Sequence, residues 1–375
     1  MDRRELLGRV RKLVVKVGTA SLSNEEGGFD EAQVARLAEQ VHALRQRGVQ
    51  VTVVSSGAIR AGMNALGLKS RPQNLPELQA CAAVGQGHLI SAYDKCFSRW
   101  GAHAAQMLLT REDFDDRQRY LNASNTLHAI CAMGAVPVIN ENDTVAVEEI
   151  TFSENDHLAA LVTSLLGADM LVLLTVVDGL YENFDAPPAQ RKVVHVVDKV
   201  TDAVRRMAGA VTSSGGTGGM ASKLEAARIA TIAGAVVQMA SAREPRVLER
   251  IFDGEEIGTL FLPGKKRLDS HKRWLRFGSR AKGRILVDAG AQRALTEKGK
   301  SLLPGGIKSV EGDFARGDMV CICDAQGGEF AHGIVNYAVA EVHRIKGLKT
   351  VAVRRLLGDA ACDEVIHRDH MALND

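Results

Sequence analysis

Between Leu13 and Ala240 the chain repeats one pattern: a short apolar run, then a longer stretch whose apolar positions recur every three or four residues. Leu13–Val17, Val49–Val54, Val136–Ile139, Met170–Thr175 and Ala235–Ala240 carry almost no polar residues, so they read as strands covered on both faces. Amphipathic helices between buried strands imply an α/β fold with a mainly parallel sheet. One such helix is expected from about Asp30, with Gln33 completing a capping box. Its Val34, Leu37, Ala38, Val41 and Leu44 form one stripe, and Gly48 ends it.

The rhythm changes after Gly283. Ile285–Val287, Met319–Cys323 and Gly333–Val335 read as short strands between glycine turns, with few helical stretches. The expected organisation is therefore an α/β domain over residues 1–264, a linker over 265–282 and a small β-rich, barrel-like domain over 283–369. The formal net charge is only +2, yet residues 265–284 hold nine basic side chains and one acidic one. A solvated linker is the plain explanation for that run, and a nucleic-acid stripe the sharper one.

Composition excludes several classes. No apolar run approaches the roughly 20 residues that span a bilayer. Lys12 and Lys16 interrupt any signal-peptide core, so a cytoplasmic protein with no membrane association is expected. The six cysteines form no C-x-x-C pair and no His cluster in sequence, which argues against a zinc motif or a disulfide framework.

In parallel sheets, ligands collect beyond the carboxyl ends of the strands. That rule selects KVGT after the first strand, SSGAI after the second, NEND after Ile139 and VVDGLY after Thr175. Lys16 ends a buried strand beside Gly18, a costly position for a cation without an anion. Residues 215–223, GGTGGMASK, fail the Walker pattern because Ser222 precedes Lys223, and fail G-x-G-x-x-G because Ala221 holds the third glycine position. Lys223 nevertheless falls in the first turn of a helix, where a cation opposes the macrodipole and wants an anion. The backbone N–H groups of Thr217, Gly218, Gly219, Met220 and Ala221 suit the same anion, a polyphosphate. A flexible surface loop with a lysine reaching water stays open as the alternative.

Asn140, Asp143, Asn155 and Asp156 add amides and carboxylates to this crevice, a mixture suited to a small zwitterion. Ser153 and Asp156 also read as a helix cap. No H-R-D loop or other clear general base accompanies the phosphate site. A kinase acting on a carboxylate needs none, because that nucleophile is already ionised at neutral pH.

The ordered set VVKVGT, VSSGAIRAG, AAVGQG, QMLLTREDFDDRQRYLNA, VPVINENDTVA, NDHLAAL, LLTVVDGLY and GTGGMASKL resembles the glutamate 5-kinase branch of the amino acid kinase family. The stretch with KRW, SLLPGGIKSVEGDFARGD, AHGIVNY and VIHRDHM is similar to its appended PUA domain. The resemblance implies a three-layer αβα sandwich plus a small barrel-like PUA domain, and phosphorylation of the γ-carboxylate of L-glutamate by ATP with Mg²⁺. It implies Lys16 and Lys223 on the transferring phosphoryl group, with Asp156 organising them. Ser56, Gly57, Ala58, Asn140, Asp143 and Asn155 would bind glutamate. Gly18, Thr175, Val176, Asp178 and Thr217–Lys223, Ser222 included, join Lys16 in binding ATP. No protein side chain is implied as a metal ligand. Feedback inhibition by proline and a homo-oligomer, dimer or tetramer, are further implications. A sister kinase for aspartate or N-acetylglutamate, or an RNA-binding protein with a regulatory kinase-like half, are the competing readings; PUA resemblance by itself assigns no RNA partner. One departure stands out. The family reads LTD-x-x-GLY where this chain has Val176, so a nucleotide contact is missing or falls to Asp178, and ENFDAPPAQRK after Tyr181 lacks the usual D-P-R.

Overall fold

The computed structural model describes residues 3–24, 27–145, 155–184, 186–187, 190–208, 219–264, 270–275, 281–357 and 362–374. The chain divides into two compact units, Met1–Asp113 with Arg117–Arg267, and Phe114–Asp116 with Leu268–Asp375. Among the described residues no helix is long and apolar enough to cross a membrane.

The first unit is built on eight strands: β1 Lys12–Val17, β2 Gln50–Ser55, β3 Ala104–Leu109, β4 Val136–Glu141, β5 Met170–Thr175, β6 Val196–Val197, β7 Val236–Ser241 and β8 Thr259–Phe261. They lie in the order β3-β4-β2-β1-β5-β7-β8-β6. Every pairing is parallel except β7 with β8. Among the described residues the helices of six residues or more are α1 Arg3–Gly8, α2 Glu31–Gln46, α3 Ala58–Ala65, α4 Leu75–Ser98, α5 Arg117–Ala132, α6 Asn155–Leu166, α7 Met220–Ile232 and α8 Val247–Phe252. The side-chain period of two splits the sheet into faces. Leu13, Val15 and Val17 of β1 join Val51 and Val53 of β2 in a core with residues from α1, α2, α4 and α8. Val14 and Lys16 turn to the other face, where α6 packs on β1 and against α7. The expected α/β architecture with a large, mostly parallel sheet is the observed one.

Local chemistry explains the helix ends. Asp30 caps α2 by accepting from the Ala32 N–H at 2.8 Å. The expected capping box does not close, because the Gln33 side chain accepts from Arg36 instead, and a single Asx cap suffices. Gly48 ends that helix at φ +80°, a region that favours glycine. Helices α3 and α4 touch backbone to backbone: a Cβ on Gly62 would lie 1.8 Å from the Cys81 carbonyl oxygen, and one on Gly85 1.8 Å from that of Ala58. Two glycines thus fix where α3 begins.

The second unit is a five-stranded mixed sheet in the order β10-β9-β11-β12-β13. Its strands are β9 Gly283–Val287, β10 Ile307–Gly312, β11 Met319–Cys323, β12 Glu329–Ile334 and β13 Met371–Leu373. It is less purely β than its sequence suggests. Helices α9 Ala289–Thr296, α10 Val339–Ile345 and α11 Thr350–Leu357 contribute Leu295, Val342, Ile345 and Val353 to its core. Strand β12 also starts four residues before the expected Gly333.

Candidate active site

The carboxyl ends of β1, β2, β4 and β5 and the starts of α3, α6 and α7 meet at one place. Its floor is an ion cluster. Lys16 Nζ lies 2.6 Å from Asp156 Oδ1, and Lys223 Nζ 3.0 Å from Oδ2. The Ser222 hydroxyl donates to the same Oδ2 at 2.9 Å. All three charged side chains are buried, Asp156 completely. Burial pushes the Asp156 carboxyl up, but the ammonium charges of Lys16 and Lys223 outweigh it and hold the group at about 2. Burial likewise lowers the Lys16 ammonium, Asp156 opposes that shift, and Lys223 adds to it as a like charge. Among the described residues Lys16 and Lys223 share one carboxylate in a water-poor place, an arrangement that favours an arriving anion.

The amide of Asn155, the first residue of α6, forms the adjoining wall. Its Nδ2 donates to Ser56 Oγ at 2.8 Å and to Asn140 Oδ1 at 3.0 Å, drawing together the ends of β2 and β4 and the start of α6. That leaves Asn155 Oδ1 buried and, among the described residues, without a hydrogen-bond partner. A buried acceptor in this state costs about 1–3 kcal/mol and marks where a ligand donor belongs. Gly57, at φ +107°, turns the chain from β2 into α3 beside this wall.

Above the floor lies a cavity of about 400 Å³. Lys16, Gly18, Ser56, Gly57, Ala58, Asn140, Asp143, Asn155, Thr175, Val176 and Lys223 all line it. Eleven of the residues singled out from sequence thus share one cavity, and Asp156 sits beneath it, tied to both lysines. A second cavity of about 1210 Å³ in the same unit shares Ala20, Ser21, Leu174 and Val176 with the first.

The sequence pattern of the amino acid kinase family matches residues 11–240. The chain belongs to the amino acid kinase family. A PUA domain pattern matches residues 283–357. The chain is 47% identical over 362 residues to a protein named glutamate 5-kinase from Caldanaerobacter subterraneus subsp. tengcongensis, covering 96% of this chain and 97% of that one. It is 45% identical to a glutamate 5-kinase from Geobacter metallireducens, covering 99% of this chain and 100% of that one. A solved UMP kinase from Bacillus anthracis aligns at 15% identity and a TM-score of 0.47, over 68% of this chain and 96% of that one.

Within this amino acid kinase, some residues named from sequence fall elsewhere. Asp178 is exposed, accepts from the Tyr181 hydroxyl at 3.1 Å, and is not among the cavity-lining residues. Gly219 precedes α7 as its N-cap, and Met220, Ala221 and Ser222 form its first turn. Thr217 and Gly218, with the rest of the glycine-rich loop, lie outside the described residues, as does Ser153 with its proposed cap. The cavity also includes Arg60, Arg71 and Glu141, which the sequence reading did not single out. Arg60 and Glu141 stood inside quoted motifs, SSGAIRAG and NEND, so their neighbours carried the signal. Arg71 stood in SRPQN, where no local pattern marks it.

Proposed function

We propose that this amino acid kinase transfers the γ-phosphoryl group of ATP to the γ-carboxylate of L-glutamate, giving L-glutamyl 5-phosphate and ADP, the first step of proline biosynthesis. The observation that carries the reading is the buried Lys16–Asp156–Lys223 cluster opening on a cavity walled by amides and carboxylates. A carboxylate oxygen forms the new bond to the γ-phosphorus. The bond from that phosphorus to the bridging oxygen breaks, and its electron pair leaves on ADP. No proton is transferred, which accords with a cavity that needs no dedicated general base.

Lys16 and Lys223 neutralise charge on the transferring phosphoryl oxygens, and Asp156 holds both ammonium groups in place before substrate arrives. Thr175, Val176 and the first turn of α7, Gly219–Lys223, take the nucleotide side; Gly18 backs Lys16. Asn155 Oδ1, lacking a donor, and Asp143 accept from the α-ammonium of glutamate, while Ser56, Gly57, Ala58 and Asn140 shape the rest of that pocket. The donor set suits MgATP with the ion held on phosphate oxygens, because the Asp156 carboxylate is already engaged by two ammonium groups and a hydroxyl. Mg²⁺ supplies charge neutralisation on the phosphates when bound. Feedback inhibition by proline, a homo-oligomer and a cytoplasmic location belong to the same reading.

A coupled ADP-release assay with L-glutamate, ATP and Mg²⁺ tests the proposal; absence of glutamate-dependent turnover would overturn it. N-acetylglutamate, which lacks the ammonium that Asn155 and Asp143 receive, is expected to be a poor substrate. Equal turnover of the two acids would mean a sister activity.

A further inference from the structure

Among the described residues one trio brings metal-ligating atoms within 4.8 Å of one another: Cys321, Glu329 and His332. It lies in the second unit, on β11 and β12, and has no part in the chemistry above. Cys321 and His332 are direct cross-strand partners, so their side chains share one face of the sheet. Glu329, three residues before His332, would ordinarily point to the opposite face, because side chains alternate along a strand. The register shifts between Ile322 and Cys323, so that Cys323 pairs with Glu329 and Phe330 becomes the extra residue. This bulge returns the Glu329 carboxylate to the face of Cys321 and His332.

The separation of the thiol and the imidazole matches a coordination shell. Cys321 Sγ is 3.6 Å from His332 Nε2. A tetrahedral ion with sulfur at about 2.3 Å and nitrogen at about 2.0 Å holds those two atoms about 3.5 Å apart, close to the observed separation. Glu329 Oε1 is 3.0 Å from the same Nε2 and accepts from the Asn374 side chain at 3.3 Å, an outer partner for the carboxylate. One ring nitrogen faces both the thiol and the carboxylate. A relay in which the acid orients the base through its far nitrogen is therefore not what this arrangement provides. Arg284, opposite Cys321 on β9, directs its guanidinium to the Gly327 carbonyl at 3.0 Å.

We propose that Cys321, Glu329 and His332 bind a divalent ion of the zinc class, with a fourth position open to water or another ligand. Sulfur and nitrogen donors with a single carboxylate favour zinc over magnesium or calcium. Binding releases the thiol proton and ties β11 to β12 across the bulge. The sequence hides the site because the three residues are separated by seven and two positions and form no spacing motif.

The test is a titration of the full-length, metal-stripped chain with Co²⁺. The expected result is about one ion per chain, a near-ultraviolet thiolate-to-cobalt band, visible bands of tetrahedral intensity, and displacement by Zn²⁺. Cys321→Ser should abolish the thiolate band. His332→Gln should weaken binding by at least the roughly 10- to 100-fold that loss of even an outer-shell partner costs. Glutamate-dependent ADP release and the unfolding midpoint, measured on each variant, establish that it is folded. A parent chain without the thiolate band, a band that survives in folded Cys321→Ser, or undiminished binding in folded His332→Gln would overturn the assignment.

Discussion

Replacing Asp156 by asparagine keeps the shape of the cluster and removes the negative charge that Lys16 and Lys223 share. The carboxylate oxygens lie 2.6 Å from Lys16 Nζ and 3.0 Å from Lys223 Nζ. At an effective dielectric constant near 20 each contact is worth about 6 kcal/mol before desolvation is subtracted. Most of that offsets the cost of burying the charges, and removing one partner of a buried pair typically destabilises by about 3–5 kcal/mol. The pKa leads to a similar size. A carboxyl held at about 2 against an ordinary 3.8 contributes about 2.5 kcal/mol at neutral pH. We therefore expect Asp156→Asn to lose about 3 kcal/mol of unfolding free energy at pH 7.

Two pH signatures separate this cause from simple misfit. In the parent, the Asp156 contribution is fully present above pH 3.8 and is lost as pH falls through about 2; the variant lacks that acid-side loss. In the variant, two buried ammonium groups face each other, which depresses a lysine further below its ordinary 10.5. A depressed native lysine means the unfolded state binds more protons, so the variant's stability should rise with pH until about that value. Urea unfolding from pH 2 to pH 10 measures both. Turnover should fall by roughly 10² or more, because the lysines lose the group that preorganises them. A variant within about 0.5 kcal/mol of the parent, with the same pH slope, would refute the role given to Asp156.

Three further outcomes follow from the same geometry. Lys223→Met leaves Lys16 paired with Asp156 and should cut kcat by roughly 10² or more in a folded protein; an unchanged kcat removes Lys223 from the catalytic set. Val176→Asp, at a rim position 41% exposed, should lower the KM for ATP by roughly two- to tenfold, the worth of one hydrogen bond, and an unchanged KM would mean no contact is missing there. Gly85→Ala forces a methyl against the Ala58 carbonyl and should cost about 1–3 kcal/mol in denaturant unfolding while raising the KM for glutamate; a neutral substitution would mean α3 and α4 separate freely.

What was legible in the sequence tracks how local its cause is. Met170–Thr175 and Met319–Cys323 are found within their expected bounds because both faces of each strand are buried, leaving unbroken apolar runs. Strand β3 escaped notice because its residues are mostly half-buried, and β6 and β8 because two or three residues carry no period. Lys16 and Lys223 were conspicuous because each breaks a local rule, a charge in a buried strand and a cation in a helix's first turn. Their shared partner is less visible, since Asp156 also reads as a capping residue. Only the fold, which brings it to Lys16 across 140 positions and to Lys223 across 67, decides between cap and counterion. Asn155 is harder still. Its two hydrogen bonds span 99 and 15 residues, and its significance lies in the acceptor they leave over. A pattern of residue types records which groups can bond; the unpaired oxygen exists only once Ser56 and Asn140 have taken both amide hydrogens. The spare acceptor is therefore a property of the folded contact set, which no pattern of residue types along the chain records.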